Sequence, residues 1–351
     1  MILLTGATGF LGMEVLVRLL ERTDREVLCL VRAPDHAAAE RRLTGVLETL
    51  YRDPSPYAGR VRALAGDLAG DIAPPPGELE LVCHCAASIS FDLALGEART
   101  INVEGTRAML DLARDAGARR FVHVSTAYVA GTRPGEFRED MLDEGQGFRN
   151  TYEQTKWEAE HLVAQRSGDF GSIAIARPSI VMGESDSGWT PAFNVLYWPL
   201  RAFARGLFDK VPARPDGRVD VVPVDYVADG IMRLVERDAT GTFNLVSGPD
   251  AATVDLLSEL ACAHFDRPRP PYVQAGAFGD AAADEHGAVY LPYFDMSVVF
   301  DDTRTRTQLG LRAPKLREYF DALMDYADLA KWGKRGLSRE EARERGALAP
   351  S

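Results

Sequence analysis

The sequence is poor in cysteine and in the residue spacings that hold metals. Its 351 residues include four cysteines, too few for a disulfide-rich secreted fold, and none of these stand in the C-x-x-C spacing of a zinc site. Cys83 and Cys85 alternate along an apolar stretch, which favours buried strand thiols over a redox pair. These absences predict a reducing, cytoplasmic setting and no bound metal.

Positive charge is also scarce. The chain has 52 acidic and 40 basic residues, a net charge of −12, and only five of the basic residues are lysine. A nucleic-acid surface needs clustered positive charge, so nucleic acid is not an expected partner.

Long hydrophobic runs are absent from the N-terminus. The chain begins MILLTGATGFLG, in which three apolar residues follow the Met and no basic segment precedes them. A signal peptide needs an apolar core of about 7–15 residues and a membrane helix needs about 20. We therefore expect neither a signal peptide nor a membrane span.

Short apolar segments alternate with longer amphipathic ones through the first half of the chain. The composition, 46% hydrophobic and 26% charged, is that of a globular protein, and the length favours about two domains. We predict strands over 1–6, 26–32, 61–67, 79–86, 120–126 and 171–178. We predict helices over 10–22, 36–51, 97–116 and 151–167. This alternation indicates βαβ units, and so an α/β Rossmann fold with a doubly wound parallel sheet.

The alternation ends after Pro178. An aromatic segment with Gly and Pro follows, before one further strand and helix near Asp225. We predict a Rossmann domain of residues 1–182 plus roughly 216–247. A smaller, mainly helical substrate-binding domain, discontinuous in sequence, is predicted for 183–215 plus 248–351. The charged C-terminal segment predicts a surface helix with a solvated face.

The stretch TGATGFLG places glycines directly between the first strand and the first helix. Gly6 permits a tight turn, Gly9 lets the backbone approach a pyrophosphate, and Gly12 lets the helix pack closely on the sheet. The helix N-terminus adds free N–H groups and a positive dipole end. The motif predicts these dinucleotide contacts: Thr5, Gly6, Thr8, Gly9, Phe10, Leu11 and Gly12.

The end of the second strand predicts which dinucleotide binds. Arg32 stands where an NAD-specific site has an Asp or Glu for the ribose 2′-OH, and a guanidinium there can pair with a 2′-phosphate. Arg42 on the following helix is a second candidate, although either arginine also suits a solvated surface. Asp35, three residues beyond Arg32, is the nearest acid for NAD. We predict NADPH.

Two further loops follow strands of the predicted sheet. Ligands bind at the carboxyl ends of strands in open α/β sheets. Asp67 and Leu68 in GDLAG are predicted to meet the adenine. Ala86 and Ala87 in HCAAS are predicted to let the cofactor lie close to the backbone.

A candidate proton donor begins the helix after the fifth strand. Tyr152 and Lys156 lie four residues apart and so share one helix face, where a cation is expected to lower the pKa of the phenol. Two unrelated polar residues on an exposed helix are the alternative. Ser125 and Thr126 end the fifth strand, and a hydroxyl there is placed to hold a substrate carbonyl.

Taken together, the motifs resemble the extended short-chain dehydrogenase/reductase superfamily. They run in order through TGATGFLG, GDL, NVEGT, VSTAYVAG, YEQTK, ARPSIVMG and VVPVDYVAD, over roughly residues 1–250. STAYVAG, RPSIVMGESDSG and VVPVDYVAD are most similar to the thioester reductase branch. That branch contains fatty acyl-CoA reductases, terminal reductase domains of nonribosomal peptide and polyketide synthases, and carboxylic acid reductases.

The resemblance implies a catalytic triad of Thr126, Tyr152 and Lys156, with Ser125 facing the cofactor or the core. It implies that Asn102 helps a proton relay and contacts the cofactor, although capping a helix is an equal alternative. The nicotinamide pocket is implied to contain Pro178, Ser179, Ile180 and Val181.

The implied activity is NADPH-dependent reduction of an acyl thioester to an aldehyde or, with a second hydride, to an alcohol. No adenylation or carrier domain is recognisable, so the thioester is expected as a CoA ester or on an acyl or peptidyl carrier protein. Alternatives are a ketone or aldehyde reductase, a sugar-nucleotide epimerase, and a noncatalytic NADPH-binding protein.

Acyl specificity is expected from residues 250–351, where the resemblance is loose. A group of aromatic residues either lines an acyl tunnel or forms an amphipathic core helix, which is the favoured interpretation for most of them. These are Trp189, Phe193, Tyr197, Trp198, Phe203 and Phe208.

Overall fold

A computed structural model describes residues 1–193, 195–207, 210–273, 291–294 and 296–346. Its strands, in chain order, are β1 Ile2–Thr5, β2 Val27–Val31, β3 Val61–Ala65, β4 Leu81–His84, β5 Arg120–Val124, β6 Gly135–Phe137, β7 Ser172–Pro178, β8 Ile180–Met182, β9 Arg218–Val219, β10 Val221–Pro223, β11 Gly241–Leu245, β12 Ala252–Thr253 and β13 Val298–Phe300. Seven of them form a parallel sheet in the order β11-β7-β5-β4-β1-β2-β3. This order confirms the predicted doubly wound Rossmann-type sheet.

The helices follow the predicted bounds closely in the first half of the chain. They are α1 Phe10–Arg22, α2 His36–Leu50, α3 Leu95–Arg99, α4 Gly105–Asp115, α5 Thr151–Gln165, α6 Tyr197–Ala204, α7 Val224–Glu236, α8 Val254–Phe265, α9 Leu316–Leu329 and α10 Arg339–Gly346. Side-chain caps explain several starts: Asp35 accepts the Ala38 N–H (2.7 Å) before α2. Asn150 accepts the Glu153 N–H (3.0 Å) before α5.

Both faces of the central sheet are covered by helices. Every residue of β1 is buried, as expected of a parallel strand with apolar cover on two sides. Because strand side chains alternate, Leu4 joins the core beneath α1 and α7, whereas Leu3 joins the core beneath α4 and α5. None of the helices in the described ranges is long and apolar enough to cross a membrane.

Three small two-stranded pairings, β8 with β10, β9 with β12 and β6 with β13, extend the fold beyond the sheet. They share a second core with α6, α8 and α9, whose largest buried side chains include Tyr319 and Phe320. This region gathers residues from distant parts of the chain, as a discontinuous substrate domain requires. The predicted boundaries at 182, 216 and 247 stay a prediction.

The C-terminal helix α10 docks onto α1 instead of lying free in solvent. Arg339 is 3% exposed, and its guanidinium pairs with Glu14 of α1 (2.6 Å) and with Glu184 (2.7 Å). Both carboxylates are themselves buried. The expected solvated face holds for residues 343–346, which are exposed, but not for Arg339, whose charge has buried partners on other elements.

Replacing Arg339 with leucine leaves the Glu14 and Glu184 carboxylates buried without this partner. We expect Arg339→Leu to lower the free energy of unfolding by about 3 kcal/mol, since two buried carboxylates lose their shared cation and, among the described cations, keep only Arg18 and Arg343. Urea denaturation followed by circular dichroism measures the change. The matched control is Arg52→Leu, which removes the exposed pair between Arg52 and Glu344 (2.8 Å) and should cost far less. Equal losses in the two variants would contradict the assignment.

Candidate active site

One cavity of about 790 Å³ opens at the carboxyl edge of the parallel sheet. Residues that follow β1, β2, β3, β4, β5 and β7 line it, because parallel strands all end at the same edge. It is lined by all of the residues predicted to be catalytic or to bind the cofactor except Thr5 and Asn102. The fold thus brings together segments that are far apart in sequence.

The glycine turn fits its predicted role residue by residue. Gly6 has a φ of +78°, a left-handed conformation that favours glycine, and its carbonyl accepts the Gly9 N–H (2.8 Å). A Cβ on Gly12 would lie 2.0 Å from the Gly6 oxygen, so only glycine allows α1 to start this close to β1. No acidic side chain stands in the first turn of α1, whose N-terminal residues line the cavity. This end of the helix is therefore suited to a phosphate.

Thr5 supports the turn from behind and does not line the cavity. Its hydroxyl accepts the Ala86 N–H (3.0 Å) and lies 2.8 Å from Nδ1 of His84, to which it donates because the single proton of Thr106 is given to Asn102. This assigns the proton of His84 to Nε2, which donates to Thr106 (3.1 Å), and Thr106 donates to the Asn102 carbonyl (2.7 Å). Burial lowers the pKa of His84 to about 3, so the ring stays neutral.

The predicted NADP determinants lie at one end of the cavity. Arg32 and Arg42 are exposed at its edge, and a guanidinium N–H of Arg42 donates to the Arg32 carbonyl. The Asp35 carboxylate caps α2 through the Ala38 N–H. Asp35 is thus engaged with the backbone, and the charged side chains that line this end are Arg32, Arg42 and Asp67.

The hydroxyl of Thr126 meets the phenol of Tyr152 in the cavity wall. Thr126 follows β5, where its Oγ1 accepts the Tyr128 N–H (3.2 Å) and donates to the Pro178 carbonyl (3.4 Å). The Thr126 side chain lies close enough to the Tyr152 phenol to act on its pKa, and both residues line the cavity. Tyr152 stands in the first turn of α5, next to the cap formed by Asn150. Two hydroxyl groups thus converge on one point.

Lys156 is fixed on the same wall by the strand beneath it. Its ammonium donates to the Val124 carbonyl (2.7 Å) and lies 3.5 Å from Nε2 of His123. Only 2% of the residue is exposed, and desolvation lowers its pKa to about 8 despite the nearby Glu160 carboxylate.

The expected lowering of the Tyr152 pKa is wrong, because the net shift is upward and Lys156 is not among its causes. Burial raises the pKa of Tyr152 to about 12. The Thr126 side chain acts to lower this pKa, and the Glu153 carboxylate raises it further. The spacing of four residues places Lys156 on the right face of α5. Its ammonium, however, bonds to β5, and desolvation of the phenol dominates.

Asn102 lies behind the cavity wall, in a π-helical turn between α3 and α4. Its Oδ1 accepts the Ser88 N–H (2.8 Å), and its amide donates to the Ser88 carbonyl (3.1 Å) and to Thr155 of α5 (3.0 Å). The side chain therefore joins a cavity loop to α5, and it neither lines the cavity nor caps a helix.

Ser125 faces the cavity. It is 3% exposed, and its N–H donates to the Ala176 carbonyl (2.7 Å), while its hydroxyl has no hydrogen-bond partner within the described part of the chain. Ser125 was expected to face either the cofactor or the core, and it lies in the lining of the cavity predicted for the cofactor. The neighbouring Cys85 also lines the cavity, whereas Cys83 is buried within β4.

Three aromatic residues near Tyr152 were missed in the sequence. Phe91, Tyr128 and Tyr293 all line the cavity, and the Phe91 ring lies 5.8 Å from the Tyr152 ring. They come from three separate segments with no shared motif. Tyr293 stands 141 residues after Tyr152, so only the tertiary fold reveals it.

The aromatic residues proposed for an acyl tunnel divide into two groups. Trp189 and Tyr197 are core residues: the indole N–H donates to the Leu337 carbonyl (3.2 Å), and the Tyr197 hydroxyl accepts the Gly183 N–H (3.1 Å). Trp198 and Phe203 line a separate apolar cavity of about 100 Å³.

Phe193 is partly buried and packs on the rings of Tyr197 (5.0 Å) and Tyr326 (6.1 Å). Phe208 lies outside the described residues. Trp189, Phe193 and Tyr197 thus pack in the core as the favoured interpretation predicts, but Trp189 and Phe193 precede the helix, which begins at Tyr197.

Comparison with known proteins places this site in a family. The family described as male sterility protein matches residues 4–231. Isonitrile lipopeptide synthase of Streptomyces coeruleorubidus is 33% identical over 342 residues, covering 88% of this chain and 22% of that protein. Fatty acyl-CoA reductase 1 of Xenopus laevis is 30% identical over 272 residues, covering 65% of this chain and 53% of that protein.

Similarity also extends to a solved structure. The terminal R domain from the myxalamid PKS-NRPS biosynthetic pathway is 26% identical with a TM-score of 0.83, covering 96% of this chain and 92% of that one. The chain spans between 22% and 53% of the length of the two curated relatives described above. The resemblance predicted from the motifs is confirmed.

A methyl group on Gly12 tests the geometry of the turn. Because the new Cβ would meet backbone atoms of Gly6, we expect Gly12→Ala to destabilise the fold by about 3 kcal/mol or more. The control is Gly45→Ala in α2, where a Cβ meets no atom within 4 Å and should stabilise the helix by up to about 1 kcal/mol. Thermal unfolding measures both. A neutral Gly12→Ala would refute the close approach.

Proposed function

The chain belongs to the male sterility protein family, and from this premise we propose that it is an NADPH-dependent reductase of acyl thioesters. The observation that carries the proposal is the convergence of the Thr126 and Tyr152 hydroxyls beside Lys156 in the cavity. The names of two similar proteins, a fatty acyl-CoA reductase and a terminal R domain, support an acyl thioester as the substrate class.

The cofactor proposal depends on two ends of the cavity. The N-terminus of α1 and the glycine turn would hold the pyrophosphate, and Arg32 and Arg42 would pair with the 2′-phosphate of NADPH. Lys156 would donate to the nicotinamide ribose with an N–H that Val124 leaves free. When bound, NADPH supplies the hydride.

Thr126 and Tyr152 would act on the carbonyl oxygen of the thioester. Their hydroxyls donate to that oxygen as negative charge develops on it. With a pKa of about 12, the Tyr152 phenol stays protonated at neutral pH and is available as the acid. The resulting hemithioacetal breaks its C–S bond, which gives an aldehyde and a free thiol. A second hydride would give the alcohol.

The thioester would arrive as a CoA ester or on an acyl or peptidyl carrier protein. In some relatives the matching region is a small part of a much longer synthase. This arrangement supports delivery by a carrier. Residues 183–215 and 248–351 remain our proposal for the part of the chain that binds the acyl group.

Incubation of the protein with NADPH and octanoyl-CoA tests the function directly. We expect NADPH to be oxidised and octanal or octanol to appear by mass spectrometry. Tyr152→Phe should lower kcat by about 100-fold to 10,000-fold with NADPH affinity kept, because it removes one proton donor and little bulk. Oxidation of NADPH by ketones but by no CoA or pantetheine thioester would overturn the proposal. An unchanged rate in Tyr152→Phe would refute the role of Tyr152.

Cofactor choice is tested by removing the guanidinium beside the 2′-phosphate. We expect Arg32→Ala to weaken NADPH binding about tenfold, the value of a charge-assisted hydrogen bond, with NADH binding changed less than about twofold. Arg41→Ala is the matched control, since Arg41 is exposed on the same helix as Arg42 and does not line the cavity. Fluorescence titration measures both cofactors. Equal weakening of NADPH and NADH would contradict the assignment.

A further inference from the structure

An aromatic wall, defined as Phe91 and Tyr293, stands beside Tyr152 in the cavity. We propose that this wall binds an uncharged, apolar acyl group next to the thioester carbonyl, so that Phe91 and Tyr293 determine substrate specificity. The inference rests on the proposed function. It narrows the substrate class to thioesters in which the carbon atoms next to the carbonyl belong to a hydrocarbon group.

Tyr293 presents its ring to the cavity because its hydroxyl is engaged elsewhere. The hydroxyl donates to Oε1 of Glu153 (2.7 Å) and accepts from the side-chain amide of Asn150 (2.8 Å). Glu153 is fully buried at the start of α5, and its other oxygen accepts the Arg149 N–H (2.9 Å). Two hydrogen bonds therefore fix the Tyr293 ring beside the helix turn that carries Tyr152.

Phe91, from a segment far from Tyr293 in sequence, forms the other part of the wall. Its ring stacks on Tyr293 at a centroid distance of 5.5 Å and lies 5.8 Å from Tyr152. Tyr128 meets the Tyr293 ring edge-on at 4.9 Å. Such stacked and edge-on pairs are mutually stabilising. The group that reaches Tyr152 from this side contacts aromatic carbon.

The charged groups in contact with the wall, Arg149 and Glu153, pair with each other (3.4 Å) and do not line the cavity. Among the described lining residues, the charged side chains are Arg32, Arg42, Asp67 and Lys156. The first three follow β2 and β3 or lie on α2, at the far edge of the sheet, and the Lys156 ammonium bonds to Val124. The nearest carboxylate to the wall, that of Glu153, already accepts hydrogen bonds.

An acyl group with an ammonium next to its carbonyl would therefore lose water without gaining a counter-ion from these residues. Burying an unpaired charge is far more costly than burying a hydrocarbon, which gains free energy on leaving water. Aromatic rings do attract quaternary ammonium groups, but the Tyr293 ring already stacks on Phe91 and has the Arg149 guanidinium 5.9 Å from its centre. The geometry thus favours an alkyl or aryl acyl group.

The test compares three pantetheine thioesters: octanoyl, 2-aminooctanoyl and acetyl. We expect wild-type kcat/KM for octanoyl to exceed that for 2-aminooctanoyl by about 100-fold, because the two differ only in the buried charge. Phe91→Ala should lower octanoyl kcat/KM by about tenfold and lower acetyl kcat/KM much less, because acetyl has no chain to contact the ring. Tyr293→Phe keeps the ring and should keep the octanoyl preference to within about threefold.

Phe265→Ala is the control for nonspecific loss of packing. Phe265 contacts the second core through Trp332, at 6.4 Å between rings, and it does not line the cavity. It should lower octanoyl and acetyl rates equally. Preference for the 2-aminooctanoyl thioester, or equal losses for octanoyl and acetyl in Phe91→Ala, would overturn this inference alone. Absence of reduction with all three thioesters would instead overturn the proposed function.

Discussion

The register of the parallel strands is the constraint on which the rest of this molecule depends. Because β1, β4, β5 and β7 pair in parallel and end at one edge, residues separated by more than a hundred positions become neighbours. The helix α5 is then fixed to this edge by two buried contacts. Lys156 bonds to β5, and Arg177 of β7 forms a bidentate ion pair with Glu160 (2.6 Å at its shortest). The position of Tyr152 follows from these anchors.

The sequence predicted the sheet and the cofactor end of the cavity because their signals are local. A glycine turn between a strand and a helix can be recognised from a few neighbouring residues, and so can a hydroxyl at the end of a strand. Asp35 shows the limit of such reasoning, since an acid near the expected position proved to be a helix cap. The aromatic wall has no local signal. Tyr293 is positioned by hydrogen bonds to Glu153 and Asn150. The sequence around Tyr293 does not indicate these partners.

Charge was the property predicted least well from sequence. The segment of α10 has the composition of a solvated helix, yet Arg339 is buried because Glu14 and Glu184 lie opposite it on other elements. Lys156 shows the converse: helix spacing predicted a cation beside Tyr152, and burial instead moved both pKa values toward the neutral forms. Spacing reveals which groups share a face, whereas desolvation depends on everything packed around them.

The hydrogen-bonded chain of Thr5, His84 and Thr106 beneath the site runs in one direction, from the Ala86 N–H to the Asn102 carbonyl. Burial, together with Lys156 and His84, also holds the pKa of His123 well below its usual range. The floor of the site thus contains many hydrogen-bond dipoles, while its two histidines are uncharged near neutral pH. Charge that develops in the cavity therefore meets fixed dipoles from these two rings, whose protonation does not change near neutral pH.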